Sequence, residues 1–486
     1  MSRDPSDWIE RAVRDYPERL FLSTPAGRRI SYARLREESG RVAAALRAQG
    51  VVSGDRVAVR LEKSPEAVIL YIACLRLGAA FVPINIACSP NEVDYFLTDS
   101  KPRVAVVESA DLASLMELAQ RSRPFEEPSH RSVGPDSLAA IVYTSGTTGR
   151  SKGAMLTRSN LASNAEVLAN SWRFAGDDVL LHVLPLFHVH GLFAALNTVL
   201  ASGSSMILVP KFDPAETLQH LRDATVFMGV PTHYTRLLQE ETLDRETTAR
   251  MRLFVSGSAP LLAETHQEFF RRTGHQILER YGMTETLMNT SNPYEGVRVP
   301  GSVGPPLPGV AVRVINADTA ALETTPDAIG TLEIKGPNVF AGYWQDEAKT
   351  RGEFTADGWF KTGDLGKIDR NGYVHIVGRV KDLVISGGYN VYPKEVETEL
   401  DAVPGVAESA VFGVAHPDFG EGVTAAIVLR AGANLSEADI LEAVRPRLAR
   451  YKLPKRLLLL PELPRNTMGK VQKNVLRAAY AALYAG

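Results

Sequence analysis

Cysteine is scarce in this chain. Its 486 residues contain two, Cys74 and Cys88, both in apolar surroundings and neither in a CxxC pair or a Cys/His cluster. That excludes a disulfide framework or structural zinc site and fits a reducing cytoplasm. A basic excess is missing as well: 54 Lys and Arg against 56 Asp and Glu leave a net charge of -2. No nucleic-acid partner is expected from that balance. The opening "MSRDPSDWIERAVRDYPERL" is charged throughout and lacks the apolar h-region of a secretory signal. There is no internal repeat and no low-complexity segment.

One stretch lacks charge altogether. Between Val179 and Pro210 there is no Asp, Glu, Lys or Arg. Pro185, Asn197, three histidines and the cluster "ASGSS" make it a poor membrane span. It reads instead as two buried strands and a helix inside an α/β core. Hydrophobic content of 45% and charged content of 23% belong to a globular protein, and the length requires two or three subdomains.

Helix and strand alternate along the first part of the chain. "YARLREESGRVAAALRAQG" has helical spacing and a Gly end, "DRVAVRL" is a short strand, and "PEAVILYIACLRLGAAFVPIN" is a buried helix, a Gly turn and a strand. "LAAIVYTSG", "DVLLHVLPL", "SMILVP", "TVFMGVP" and "MRLFVSGSAP" are apolar strands that run into turns. This rhythm implies parallel sheets flanked by helices, with ligands beyond the carboxyl ends of the strands. After about Ser291 the pattern shifts to short strands and turns, a β-rich lobe. The last hundred or so residues form a small α+β module.

What is abundant is a phosphate-binding composition. Thr144 to Gly153, "TSGTTGRSKG", holds three Thr, two Ser, three Gly, one Arg and one Lys directly after an apolar strand. Glycine N–H groups and hydroxyl donors suit a polyphosphate. The loop is not a Walker A loop: Ser151 stands where that motif needs Gly, and Gly153 follows Lys152.

With "YGMTE" (281–285), "WFKTGDLG" (359–366), "GRVKD" (378–382) and "LPRNTMGKVQK" (463–473), in that order, the chain resembles the acyl-adenylate-forming enzymes across nearly its whole length. The resemblance implies a large N-terminal adenylate-forming domain (1–380) that binds ATP and the acid, and a mobile C-terminal domain (381–486) that carries a catalytic lysine. It also implies the chemistry. A carboxylate attacks the α-phosphate of ATP, pyrophosphate leaves, and a thiol, usually of CoA, then displaces AMP.

Residue roles follow from the same resemblance. Thr144, Ser145, Gly146, Thr147, Thr148 and Lys152 enclose the β- and γ-phosphates. Glu285 holds Mg²⁺, which needs hard oxygen ligands. Thr284 donates to the α-phosphate, caps a helix, or does both. The adenine lies against Gly257, Ser258, Ala259 and Pro260 and against the run Glu279, Arg280, Tyr281, Gly282 and Met283. Asp364 accepts from the ribose hydroxyls and Arg379 assists. Lys470 neutralises charge during adenylation. Lys381 is the hinge, and Ser386, Gly387 and Gly388 approach CoA.

For the acid, Arg236, Arg298, His188 and His190 are the candidates. A buried guanidinium needs an anion, and a second substrate carboxylate supplies one. Arg236 can equally snorkel from a helix surface and Arg298 can be an ordinary loop cation. Around these positions the chain resembles malonyl-CoA synthetases. That implies malonate, and often methylmalonate, as the acid, and adds Ser256 as a neighbour of the distal carboxylate; another short- or medium-chain acid is the alternative. A luciferase-like oxygenase suits an arginine-lined pocket poorly. A carrier-loading domain would be expected to have a carrier segment after Lys473, where 13 residues remain. The sequence does not fix the oligomeric state, monomer or dimer.

Overall fold

The computed structural model describes residues 4–126, 133–144, 151–316, 319–466 and 469–485. It divides into two compact units, residues 1–312 with 334–360 and residues 313–333 with 361–486.

The first unit is built on two sheets. In the eight-stranded sheet, the parallel strands Ser205–Leu208, Val179–His182, Val226–Gly229, Leu253–Ser256 and Ile277–Met283 lie side by side in that order. Antiparallel strands close its edges: Leu287–Ser291 beside Ile277–Met283, and Arg29–Ser31 beside Leu20–Ser23. The six-stranded sheet is parallel through Val104–Val106, Arg56–Val59, Ala80–Pro83 and Leu138–Thr144 and antiparallel beyond, at Lys152–Thr157 and Gly342–Tyr343.

The central strands are apolar on both faces because helices cover both. Phe227, Phe254, Phe269 and Tyr234 form the aromatic heart of one layer, each with no exposed surface. The helix Pro65–Leu77 is almost wholly buried, and Ser64 caps it by accepting from the Ala67 N–H. Gly78, at φ 76°, ends it in a left-handed turn, which glycine adopts without steric cost.

The charge-free stretch is the strand Val179–His182, a helix and the strand Ser205–Leu208, as expected from its composition. The helix has an unexpected form. His190–Leu196 is a π-helix, which continues as an α-helix over Asn197–Ser202. Gly191 is required there, since a Cβ would lie 2.1 Å from the Pro185 carbonyl oxygen. No described helix is long and apolar enough to cross a membrane.

The second unit holds most of the β-rich sheet, ordered Leu322–Glu323, Ala311–Ile315, Gly330–Lys335, Phe360–Ile368 and Val374–Arg379. It also holds the α+β module. There the long antiparallel pair Val406–His416 and Gly420–Leu429 is covered by the helix Pro393–Asp401.

Candidate active site

The site begins at the carboxyl ends of neighbouring parallel strands, where open α/β sheets bind ligands. Register aligns these ends: Ser256 pairs with Gly229 on one side and with Glu279 on the other, and Met228 pairs with His182.

Thr144 and Lys152 are the last partners of an antiparallel pair, so the phosphate loop is a hairpin connection. Ser145, Gly146, Thr147 and Thr148 lie outside the described residues. The flanks are braced. Tyr95 donates to the Ser151 carbonyl (2.9 Å), Tyr143 to an Asp99 carboxylate oxygen (2.5 Å), and the Trp344 indole to the Asp99 carbonyl (3.1 Å). The Lys152 ammonium stands 5.7 Å from the ring centre of Tyr343. The Tyr343 hydroxyl donates to Glu285 Oε1 at 3.0 Å. Burial, and then the Glu285 charge, push the Tyr343 phenol upward, which keeps it protonated as a donor. Lys152 and Glu285 thus meet at one tyrosine that the sequence reading passed over; a lone Tyr in "FAGYW" gave no signal.

Thr284 and Glu285 form the turn of a β-hairpin between Ile277–Met283 and Leu287–Ser291, so Thr284 caps no helix. Gly282 permits the tight crossing, because a Cβ there would meet the Leu287 carbonyl oxygen at 1.9 Å. Glu285 is buried, and its carbonyl accepts from the Phe340 N–H at 2.8 Å. Among the described residues no group of three or more His, Cys, Asp or Glu is arranged to hold a metal. A buried carboxylate linked through Tyr343 to Lys152 fits Mg²⁺, which takes one or two carboxylates and completes its shell with phosphate oxygens and water.

The segment Gly257 to Pro260 follows the strand Leu253–Ser256, with Ser258 in a left-handed conformation at φ 71°. A non-glycine residue there is strained, and such strain clusters at ligand-binding turns. Tyr281 and Met283 line up along the adjacent strand, hydroxyl to sulfur 4.0 Å.

Beneath Gly257 lies the least expected feature. The Arg280 guanidinium packs so closely that a Cβ on residue 257 would sit 2.4 Å from its central carbon. Arg280 is 3% exposed, and its Nε and Nη2 have no hydrogen-bond partner. Burial pulls its pKa down to about 9, so it remains charged at neutral pH. His190 is fully buried, and its Nε2 is equally unsatisfied. Its Nδ1 is 3.3 Å from Ser258 Oγ. Burial and then the Arg280 charge hold His190 well below the usual histidine range, hence neutral. Ser256 Oγ is a fourth buried polar atom without a partner.

Lys63 reaches the same strand ends, donating to the His182 carbonyl at 2.6 Å, with its pKa drawn well down by burial. His233 stacks on Phe212 with ring centres 4.0 Å apart. Burial, followed by the Arg236 charge, lowers its pKa to about 3.

The two arginines predicted to read the acid are placed differently. Arg236 is exposed on the helix Pro231–Leu237. Arg298 is not brought to the cluster. Its Nε, Nη1 and Nη2 donate to the carbonyls of Pro293 (3.2 Å), Gln276 (2.6 Å) and Tyr294 (2.9 Å), so it braces a loop. Glu279 braces the same region by accepting from the Gly301 N–H at 3.0 Å. Arg280, assigned by resemblance to the nucleotide, is the arginine buried beneath Gly257 and near His190.

In the second unit, Asp364 and Arg379 are cross-strand partners joined at 3.0 Å, with Asp364 2% exposed. Lys381 lies in a 3₁₀ turn, Val380–Asp382. Ser386 is buried at a strand end, and Gly387 and Gly388 follow at φ 60° and 82°. Lys470 closes a hairpin turn in which its N–H is held by Asn466 Oδ1 at 3.0 Å.

A hairpin connection of phosphate-binding composition after an apolar strand, a buried carboxylate at Glu285 and, in the second unit, the Asn466–Lys470 turn fit a nucleotide-dependent enzyme. The chain belongs to the AMP-binding enzyme family, whose model matches residues 9–344, and the family's C-terminal domain model matches residues 395–470. Among curated relatives, malonate–CoA ligase ACSF3, mitochondrial, of Mus musculus is 37% identical over 88% of this chain and 83% of its own. The indoleacetate–CoA ligase of Aromatoleum aromaticum is 34% identical over 98% of both chains. Among solved structures, ATP-bound MatB from Rhodopseudomonas palustris is 53% identical, with a TM-score of 0.94 over 99% of each chain.

Proposed function

We propose that this chain is a malonate–CoA ligase that converts malonate, ATP and CoA to malonyl-CoA, AMP and pyrophosphate through a malonyl-adenylate, and that it also accepts methylmalonate. The observation that carries the choice of acid is the pair Arg280 and His190: a buried cation and a neutral imidazole, both with unsatisfied atoms. Such a pair is costly unless an anion completes it. The distal carboxylate of malonate fits, accepting from the guanidinium. Arg236 adds positive charge near His233 at the rim. The malonate–CoA ligase names carried by relatives support the same acid, while the indoleacetate–CoA ligase marks the alternative of a monocarboxylic substrate.

In this reading the phosphate hairpin and Lys152 hold the β- and γ-phosphates, and Thr284 donates to the α-phosphate. Glu285, oriented by Tyr343, is the protein ligand of Mg²⁺, which would supply charge neutralisation on the phosphates. Asp364 and Arg379 take the ribose. Lys470 offsets the charge that builds at the α-phosphate, and adenylation becomes mainly positioning plus electrostatics. Turning about Lys381 then withdraws Lys470 and brings Ser386, Gly387 and Gly388 to the thiol of CoA. We place the enzyme in the cytoplasm, in keeping with its two free thiols.

The test is ATP- and CoA-dependent AMP release with malonate, methylmalonate, succinate, acetate and octanoate offered in parallel. Malonate leading, with the monoacids poor, is the expected result. Acetate or octanoate leading would overturn the carboxylate-reading cluster and leave the ligase chemistry standing.

A further inference from the structure

The hairpin that ends in Lys470 is tied down on both sides by ion pairs to carboxylates. Before the turn, Arg465 pairs through Nη2 with Glu408 on the strand Val406–His416. Its Nη1 donates to the Gly469 carbonyl at 2.6 Å, at the peptide bond that joins Gly469 to Lys470. After the turn, Lys473 pairs with Glu397 on the helix Pro393–Asp401 at 2.6 Å. The same Glu397 oxygen accepts from the Val411 N–H at 2.9 Å, which fixes the carboxylate to the sheet. Between the two pairs, Arg465 and Val471 bridge, Asn466 N–H donates to the Lys470 carbonyl (3.0 Å), and Gln472 N–H donates to the Pro464 carbonyl (2.8 Å). Leu463 and Leu476 anchor the hairpin's two flanks in one apolar cluster on the sheet.

We propose that Glu408 and Glu397 are positioning residues for Lys470, acting through Arg465 and Lys473. This rests on the reading of Lys470 as the lysine of adenylation. The two carboxylates stand on different elements of one folded module, so together they fix both the place and the direction of the turn. Anchored on one side alone, the hairpin could pivot; held on both, Lys470 leaves and returns with the module as one piece. The Arg465–Glu408 pair is partly exposed and contributes little to global stability; Lys473 and Glu397 are more buried, so a melting curve for each variant separates a loosened turn from a loosened fold. Arg465 makes the coupling direct, because the guanidinium that meets Glu408 also holds the peptide unit preceding Lys470.

The test separates the half-reactions in the full-length enzyme. Adenylation is followed by malonate-dependent exchange of pyrophosphate into ATP, and thioester formation by release of AMP from supplied malonyl-adenylate and CoA. Glu408→Gln, Glu397→Gln and the double variant are compared with Lys470→Ala and with Glu408→Asp, which keeps the charge. A misplaced catalytic group costs on the order of 100-fold. The double variant should therefore lose about 10- to 100-fold in adenylation kcat. KM values and the thioester half-reaction should stay within about twofold, with Glu408→Asp near wild type. Full adenylation in the double variant, beside a Lys470→Ala enzyme that has lost it, overturns the positioning role alone. Equal losses in both half-reactions overturn it too, by showing general damage. If Lys470→Ala itself keeps adenylation, the lysine reading fails and the proposal falls with it.

Discussion

Tyr343 donates a hydrogen bond of 3.0 Å to Glu285, and its ring faces the Lys152 ammonium at 5.7 Å. One side chain thus orients the acidic residue assigned to the metal and contacts the basic residue assigned to the phosphates. Tyr343→Phe keeps the ring and removes the hydroxyl. A hydrogen bond to a charged group is worth about 1.5–3 kcal/mol. The KM for Mg-ATP should rise about 10-fold while the KM for malonate stays near its original value; steady-state kinetics with each substrate varied checks this.

Arg280→Gln should separate the acids. Sites built to bond a substrate polar group discriminate by several orders of magnitude when the partner is missing. Malonate kcat/KM should therefore fall by about 10³-fold or more, and acetate far less. Arg298→Gln should behave differently. Its three carbonyl partners would be left without a donor, lowering the melting temperature and weakening malonate and acetate alike. Parallel kinetics on the two acids, with a melting curve for each variant, read out both expectations.

Asp364→Asn leaves Arg379 without its charged partner and weakens the proposed grip on the ribose. The KM for ATP should rise about 10- to 100-fold, and deoxy-ATP should lose its disadvantage in the variant. An unchanged ratio of ATP to deoxy-ATP use would remove the ribose from Asp364.

Asp401 gives a stability prediction with a defined sign. Burial pushes its carboxyl up to about 6, Glu397 and Glu408 add to the rise, and Ser409 and Lys394 oppose it. A carboxyl whose folded pKa lies above its unfolded value favours the fold while protonated. That contribution is fully present below pH 3.8 and is lost as pH rises through about 6. Asp401→Asn should therefore stabilise the protein at pH 8, by up to about 3 kcal/mol, and the gain should vanish near pH 4. Urea melts at the two pH values check it.

Much of the fold was legible because apolar runs ending in Gly, Pro or Ser mark buried strands wherever they occur. The strand into the phosphate loop, the buried helix before Gly78 and the charge-free stretch all took the form expected of them. The acid pocket was less legible. Arg280 lies inside the strand Ile277–Met283 and Arg298 in the loop after Leu287–Ser291, and only tertiary packing shows which of them is buried near His190. Arg280 has room because residue 257 on the neighbouring strand has no Cβ, whereas Arg298 curls back onto three carbonyls. Tyr343 was invisible for a similar reason. Its meaning comes from strand pairing that sets Gly342 and Tyr343 beside Met155 and Ala154, far away in the chain.

The wide helical turn over His190–Leu196 sets an angle. At its far end Asn197 is pinned by the Tyr71 hydroxyl at 3.0 Å, and at its near end His190 faces Arg280 and Ser258. Each residue of an α-helix advances by about 100°, so a single-residue deletion inside this segment would leave both ends helical yet swing the imidazole out of the cluster. Substitutions at the lining positions would tune the enzyme for its acid in small steps, whereas one codon lost here would change it all at once.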